Sequence, residues 1–122
     1  MVNKQIIGDR DTRLSPADLA VLEENLHEQR RFREEQLRQI AAVPSRAGEP
    51  SRPGAAQTEV RVKLAASARM VLSDVEAALA RLADGRYGRC HLCRRPVDRE
   101  RLMIVPQARY CARCQQVREA GR

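Results

Sequence analysis

The chain has 122 residues and a formal net charge of +7 at pH 7, with one Phe, two Tyr and no Trp. This length allows at most one ordinary domain, and so few rings exclude a rounded core built on aromatic side chains. The many Ala, Glu, Arg and Leu residues of the middle are typical of long helices that pack on each other. No stretch is apolar enough for a signal peptide or a membrane span, so we expect a soluble cytoplasmic protein.

The first predicted element is a helix over residues 15–43, which follows a flexible N-terminal segment of residues 1–14. Ser15 suits the N-cap position, and Asp18 suits the positive end of the helix dipole. Pro44 ends the helix because proline cannot continue it. Apolar residues at helical spacing mark its buried face, and they are Leu19, Leu22, Leu26, Leu37 and Ile40.

Residues 44–55 are predicted to form a loop, because their prolines and glycines exclude regular helix. A second helix over residues 56–84 follows, and Gly85 is a natural stop for it. Each helix would have about 28 residues and a length of about 42 Å. Steps of three and four residues give the second helix a heptad seam, which consists of Ala65, Ala68, Leu72, Val75, Leu79 and Leu82.

Two amphipathic helices of equal length joined by a short linker predict an antiparallel coiled-coil hairpin over residues 15–84. Such a hairpin buries little surface by itself, so we expect residues 85–122 to anchor its base. The predicted fold class is mainly α: a long antiparallel two-helix hairpin, a small C-terminal four-cysteine zinc finger, and a short terminal helix near residues 112–120. A monomer is expected.

All four cysteines lie in the C-terminal segment as two Cys-x-x-Cys pairs, with seventeen residues between the pairs. Two residues between ligands let two thiolates of one tight turn reach the same ion, and four thiolates fill the tetrahedron that Zn²⁺ prefers. The spacing predicts one structural zinc ion with no open coordination position. A thiol–disulfide switch is the alternative. The predicted ligands are Cys90, Cys93, Cys111 and Cys114.

The positive charge is concentrated around these cysteines, since residues 85–122 hold ten arginines against three acidic side chains. This basic surface is either a solvated face or a docking surface for nucleic acid or an acidic protein. Its candidate residues are Arg86, Arg89, Arg94, Arg95 and Arg99. The chain has two histidines, one of them (His91) between metal ligands, and no glycine-rich phosphate loop. No nucleophile–base pair follows from this set, so we do not expect an enzyme.

A helical hairpin followed by a four-cysteine knot, with specific residues around the cysteines, resembles the DksA/TraR family. The resemblance is close over about residues 71–116, whereas the first helix is similar in placement only. The matching residues are Ala83, Asp84, Gly85, Arg86, Tyr87, Gly88, Cys90, Cys93, Arg101, Leu102, Pro106, Cys111, Cys114 and Gln115.

The resemblance implies a bacterial transcription regulator that binds RNA polymerase itself and not promoter DNA. In this family the hairpin enters the secondary channel, its tip nears the active site, and the zinc end docks on the channel rim. Some members act with the alarmone ppGpp, which the resemblance therefore implies as a further partner, although no ppGpp site carries over residue by residue. Direct sequence-specific DNA binding and membrane association are not expected.

The sequence departs from the family pattern at the knot and at the tip. Family members commonly have an acidic residue where this chain has His91, and often have Gly where it has Arg94. The family tip carries aspartates, whereas residues 45–60 contain none. The candidate tip carboxylates are therefore Glu49 and Glu59.

Two other functions fit the sequence. A basic zinc module would bind bare DNA or RNA with an affinity that falls steeply with salt. A helical adaptor would bind another protein, or a second copy of itself, through the hairpin face.

Overall fold

The computed structural model describes residues 14–42 and 54–121 and contains four helices there. Two long helices, α1 (Pro16–Ala42) and α2 (Ala55–Asp84), pack on each other, and two short helices follow, α3 (Arg99–Ile104) and α4 (Ala112–Ala120). An isolated β-bridge joins Arg89 and Pro96. The predicted fold class is confirmed, including the short terminal helix, whereas α3 was not predicted. No described helix is long and apolar enough to cross a membrane.

Local sequence explains where the long helices begin and end. The Ser15 hydroxyl accepts a hydrogen bond from the Asp18 N–H at 3.0 Å, and the Asp18 carboxylate accepts one from the Ser15 N–H at 3.0 Å. This reciprocal cap supplies partners to N–H groups that the first turn leaves free. At the C-terminal end of α2, which also lies at the base of the hairpin, Gly85 adopts φ +74°. The Arg86 N–H donates to the Arg81 carbonyl there at 2.8 Å. The left-handed conformation suits glycine and closes α2.

The hairpin and the zinc end have separate buried clusters, and α1 contributes to both. Leu26 packs with Val75 and Ala78 of α2 in the hairpin cluster. Leu22, one turn earlier, packs with Cys90, Val97 and Leu102. These four residues are the zinc-end cluster. Of the predicted seam, Ala68 and Val75 are fully buried, whereas the other four residues are half-buried. The start of α1 is therefore wedged between the second helix and the zinc end.

Polar contacts also fix the hairpin to the zinc end. The guanidinium group of Arg99, at the start of α3, donates to both carboxylate oxygens of Asp18, at 3.0 and 2.9 Å. The hydrogen bonds from Arg99 and from the Ser15 backbone hold the pKa of Asp18 well below its usual range. Arg109 donates to Asp74 of α2 at 2.8 Å. Each long helix therefore has a salt bridge to the zinc end.

We expect Asp18 and Arg99 to be energetically coupled. The substitutions Asp18→Asn and Arg99→Gln should each lower the melting temperature, and the double variant should lose little more than either single variant, because each change removes the same bidentate contact. A double-mutant cycle by thermal denaturation measures the coupling. The matched control is the exposed pair Arg86 and Asp84, whose Nη2 and Oδ2 atoms lie 2.8 Å apart and which should show less coupling. Strict additivity of Asp18→Asn and Arg99→Gln would contradict the expectation.

Tyr87 lies between the two clusters and contacts both. Its hydroxyl donates to the Pro106 carbonyl at 2.7 Å. Burial raises the pKa of Tyr87 to about 12, although the nearby Arg81 acts in the opposite direction. The neutral phenol is therefore the form that the fold favours, and it links the end of α2 to the turn after α3.

The raised pKa of Tyr87 predicts an alkaline dependence of stability. The folded pKa lies above the ordinary value of 10.0, so the contribution of Tyr87 is complete below about pH 10 and is lost as the pH rises toward 12. The substitution Tyr87→Phe should cost about 1 kcal/mol at neutral pH, because it leaves the Pro106 carbonyl without a donor, and should flatten that dependence. Tyrosinate absorbance of the Tyr110→Phe variant, in which Tyr87 is the sole tyrosine, measures the pKa. A value near 10 would contradict the prediction.

Candidate metal centre and basic pocket

Two backbone knuckles bring the cysteines together. In the first knuckle, the Cys90 N–H donates to the Arg95 carbonyl at 2.8 Å and the Arg94 N–H donates to the Cys90 carbonyl at 3.0 Å. In the second, Cys111 is the N-cap of α4, and its sulfur accepts from the Cys114 N–H at 3.4 Å. The His91 N–H donates to the Arg109 carbonyl at 2.8 Å and so connects the first knuckle to the segment before the second.

The four sulfur atoms form one cluster. The Sγ atoms of Cys90, Cys93, Cys111 and Cys114 all lie within 4.8 Å of one another, and those of Cys93 and Cys111 are 3.9 Å apart. Four sulfurs bound to zinc at about 2.3 Å would lie about 3.8 Å from each other. The donor set and the spacing therefore fit one tetrahedral zinc ion, and the predicted zinc ligands lie together as that site requires. A closed shell of four sulfurs suits a structural ion.

The cysteine thiols have unequal electrostatic environments. Burial disfavours the thiolate of Cys90, but the N–H groups of Cys93 and Leu92 donate to its sulfur, and the balance lowers its pKa to about 6. The pKa of Cys114 is raised to about 12, first by its hydrogen bond with Cys111 and then by burial. A divalent cation relieves this crowding because it stabilises all four thiolates at once.

The predicted basic surface divides into two parts. Arg86, Arg89 and Arg94 line one open pocket of about 450 Å³ beside the first knuckle, whereas Arg99 lies apart, bound to Asp18. Arg95 is exposed next to the pocket residues. As a docking surface these five arginines remain a prediction.

Arg81 also lines this pocket and is missing from the predicted set. Its side chain is only 7% exposed. Burial lowers the pKa of Arg81, and the like charges of Arg109 and Arg86 lower it further. Position 81 follows the buried Ala78 by three residues, so helical spacing was the signal that could have placed this arginine on the buried face.

The remaining site candidates lie elsewhere. His91 is exposed, and its ring meets the Tyr110 ring edge-on with centroids 6.1 Å apart. Partial desolvation of the ring and the charges of the neighbouring arginines lower the pKa of His91. Glu59 is exposed near the start of α2, whereas Glu49 falls outside the described residues. The tip carboxylates therefore remain a prediction.

Comparisons with known proteins agree with this architecture. Residues 85–120 match the family model of the prokaryotic DksA/TraR C4-type zinc finger. A segment of 52 residues, 41% of the chain, is 36% identical to an uncharacterized protein of Aquifex aeolicus (strain VF5), and it spans only 36% of that relative's length.

Two solved structures resemble the whole described fold. Transcription factor DksA2 from Pseudomonas aeruginosa superposes with a TM-score of 0.64 at 25% identity, over 87% of this chain and 86% of that one. DnaK suppressor protein from Agrobacterium tumefaciens C58 superposes with a TM-score of 0.59 at 26% identity, over 80% of this chain and 91% of that one. The likeness therefore includes the hairpin as well as the zinc end.

Proposed function

This chain belongs to the DksA/TraR family of C4-type zinc-finger proteins, and we propose that it is a transcription regulator that binds RNA polymerase directly. The hairpin would enter the secondary channel of the polymerase, the zinc end would dock on the channel rim, and the complex would modulate initiation. The protein would act in the cytoplasm as a monomer. This function requires no catalytic activity of the chain.

The observation that carries the proposal is a slender hairpin held rigidly on a zinc-stabilised base. Helices of 27 and 30 residues are about 40–45 Å long, which suits a probe that reaches a recessed site. Asp18–Arg99 and Arg109–Asp74 contacts fix the direction of the hairpin relative to the base. The basic surface around the first knuckle would aid association with an acidic rim and orient the complex.

Co-elution with bacterial core RNA polymerase tests the proposal. The zinc-loaded protein should elute with the polymerase from a size-exclusion column near physiological salt. The Cys111→Ser variant should not, because the docking base would lose its ion. A variant lacking residues 46–52 separates the tip from the base: if it still binds but no longer changes transcription in vitro, the tip acts at the active site. Elution of the zinc-loaded wild-type protein separately from the polymerase would contradict the proposal.

The proposal also includes a role for the tip carboxylates, Glu49 and Glu59, and ppGpp as a further partner. The substitutions Glu49→Gln and Glu59→Gln should leave polymerase binding intact and change transcription from promoters that respond to the protein. A transcription assay with and without ppGpp shows whether the alarmone takes part. The matched control for charge removal is Glu76→Gln, an exposed position in the half of α2 that is nearer the base.

A basic zinc module that binds nucleic acid is the second candidate, and the arginine excess of residues 85–122 favours it. It predicts binding to a bare duplex or single strand in the absence of polymerase. The logarithm of that affinity should fall linearly with the logarithm of the salt concentration. Binding that disappears at physiological salt would reduce this function to nonspecific charge.

A further inference from the structure

A basic pocket lies between the C-terminal end of α2 and the first zinc knuckle. Its volume is about 450 Å³, and its wall includes four arginines, Arg81, Arg86, Arg89 and Arg94. We propose that this pocket is a binding site for a small phosphate-bearing anion. The pocket adjoins the zinc centre, since Cys90 is part of its wall, and the proposal does not depend on the proposed interaction with polymerase.

Arg81 is the strongest reason to expect an anion there. Its side chain is 93% buried, and its Nε atom has no hydrogen-bond partner within the described part of the chain. A buried charged donor without a partner is costly. Its neighbours Arg109 and Arg86 carry the same charge, which Asp74 offsets only in part. A bound anion would give the Nε–H an acceptor and reduce the remaining repulsion.

Arg94 supports the same conclusion from the backbone. It has φ +66°, and no other non-glycine residue has positive φ in the described part of the chain. A side chain in this left-handed conformation costs conformational energy that glycine avoids. The arginine nevertheless stands there and lines the pocket, which indicates a use for its guanidinium group.

The existing partners of the other two arginines do not neutralise the pocket. Arg86 contacts Asp84 at 2.8 Å in an exposed pair, and Arg89 donates to the Arg94 carbonyl at 3.1 Å. A zinc ion with four thiolates would add two negative charges beside Cys90. Four arginines still outnumber those charges and the carboxylate of Asp84 together, so the pocket keeps an excess of positive charge.

The chemistry of the wall favours phosphate over other anions. Guanidinium groups present paired N–H donors that match two oxygens of one phosphate. Several of them around one pocket suit a ligand with more than one negative charge, and the volume lies within the range of small-molecule sites.

Calorimetric titration of the zinc-loaded full chain with inorganic pyrophosphate at physiological salt tests the proposal. We expect saturable binding of one anion. The substitution Arg94→Gln should weaken it about tenfold, as expected for a lost charged hydrogen bond, and the matched change Arg95→Gln, one residue outside the pocket wall, should alter it less than twofold. Parallel titrations with inorganic phosphate and with ADP distinguish a free anion from one carried by a nucleotide.

A further pair of variants separates binding from folding. Arg81→Met should abolish binding, but it changes a buried side chain. Arg94→Gly should be at least as stable as the wild type, since glycine relieves the left-handed backbone, and should still lose affinity. Absence of binding at millimolar pyrophosphate, equal losses in Arg94→Gln and Arg95→Gln, or equally tight binding of succinate would each overturn the proposal. A calorimetric signal that arises from zinc released to pyrophosphate, and not from anion binding, would also overturn the proposal.

Discussion

The Cys114→Ser variant is expected to lose its zinc ion and the folded structure of residues 85–121. Structural zinc contributes about 10–16 kcal/mol in small zinc-finger peptides, which equals or exceeds the net stability of a typical domain. Helix α4 should unfold with the site, because its N-cap is the ligand Cys111 and nine residues are too few for a stable isolated helix. Zinc content by mass spectrometry and helicity by circular dichroism measure the two losses.

Two controls make this expectation specific. The Ala112→Ser variant introduces the same hydroxyl at an exposed position beside the ligands, and it should keep one zinc ion per chain. Removal of zinc from the wild-type protein with a chelator should reproduce the Cys114→Ser spectrum, and added zinc should reverse it. Full zinc content and a native spectrum in the Cys114→Ser protein would mean that three sulfurs suffice and that the site is not a closed structural centre.

The second large effect is expected at Leu22. The substitution Leu22→Ala should lower the free energy of unfolding by about 3 kcal/mol, the usual cost of a leucine-sized cavity in a packed core. Leu22 is fully buried and is the only member of the zinc-end cluster that comes from α1, so the substitution removes the apolar contact of this helix with that cluster. Urea denaturation in zinc-saturated buffer measures the change.

The adjacent residue supplies the matched control. Val21 is 52% exposed, and Val21→Ala should cost less than about 1 kcal/mol, since it removes little buried area. Leu26→Ala should destabilise the protein through the hairpin cluster instead, and zinc affinity should change less than in Leu22→Ala. A cost below about 1 kcal/mol for Leu22→Ala would show that α1 is not wedged against the zinc end as the structure describes.

Local signals in the sequence predicted the elements with strong caps and the metal site. Ser15 and Gly85 mark helix ends through chemistry that involves only a few neighbouring residues, and the Cys-x-x-Cys spacing carries its own geometry. Helix α3 escaped prediction because six residues are too short to show helical periodicity. The formation of α3 therefore depends on the packing of Leu102 in the zinc-end cluster and not on a sequence pattern.

Contacts between distant residues could not be predicted in the same way. Asp18 was recognised as a first-turn acid, but its partner Arg99 is 81 positions away, and Arg99 was counted among the docking residues. The leucine stripe of α1 predicted a buried face without showing that Leu22 and Leu26 meet different partners. Arg81 was overlooked because an arginine within a leucine-rich helix normally extends to solvent.

Burial along the hairpin is uneven, and this has a dynamic consequence. The buried side chains of the long helices lie between the base and the middle of the hairpin, and they are Leu22, Leu26, Ala68, Val75, Ala78 and Arg81. Residues 27–42 and 56–67 have no fully buried side chain. Few buried contacts mean a small free energy of local opening, so amide hydrogen exchange should quicken steadily from the base outward. The outer turns can fray and re-form against a partner while the base stays folded, which lets one scaffold adapt its far end to the surface that it meets.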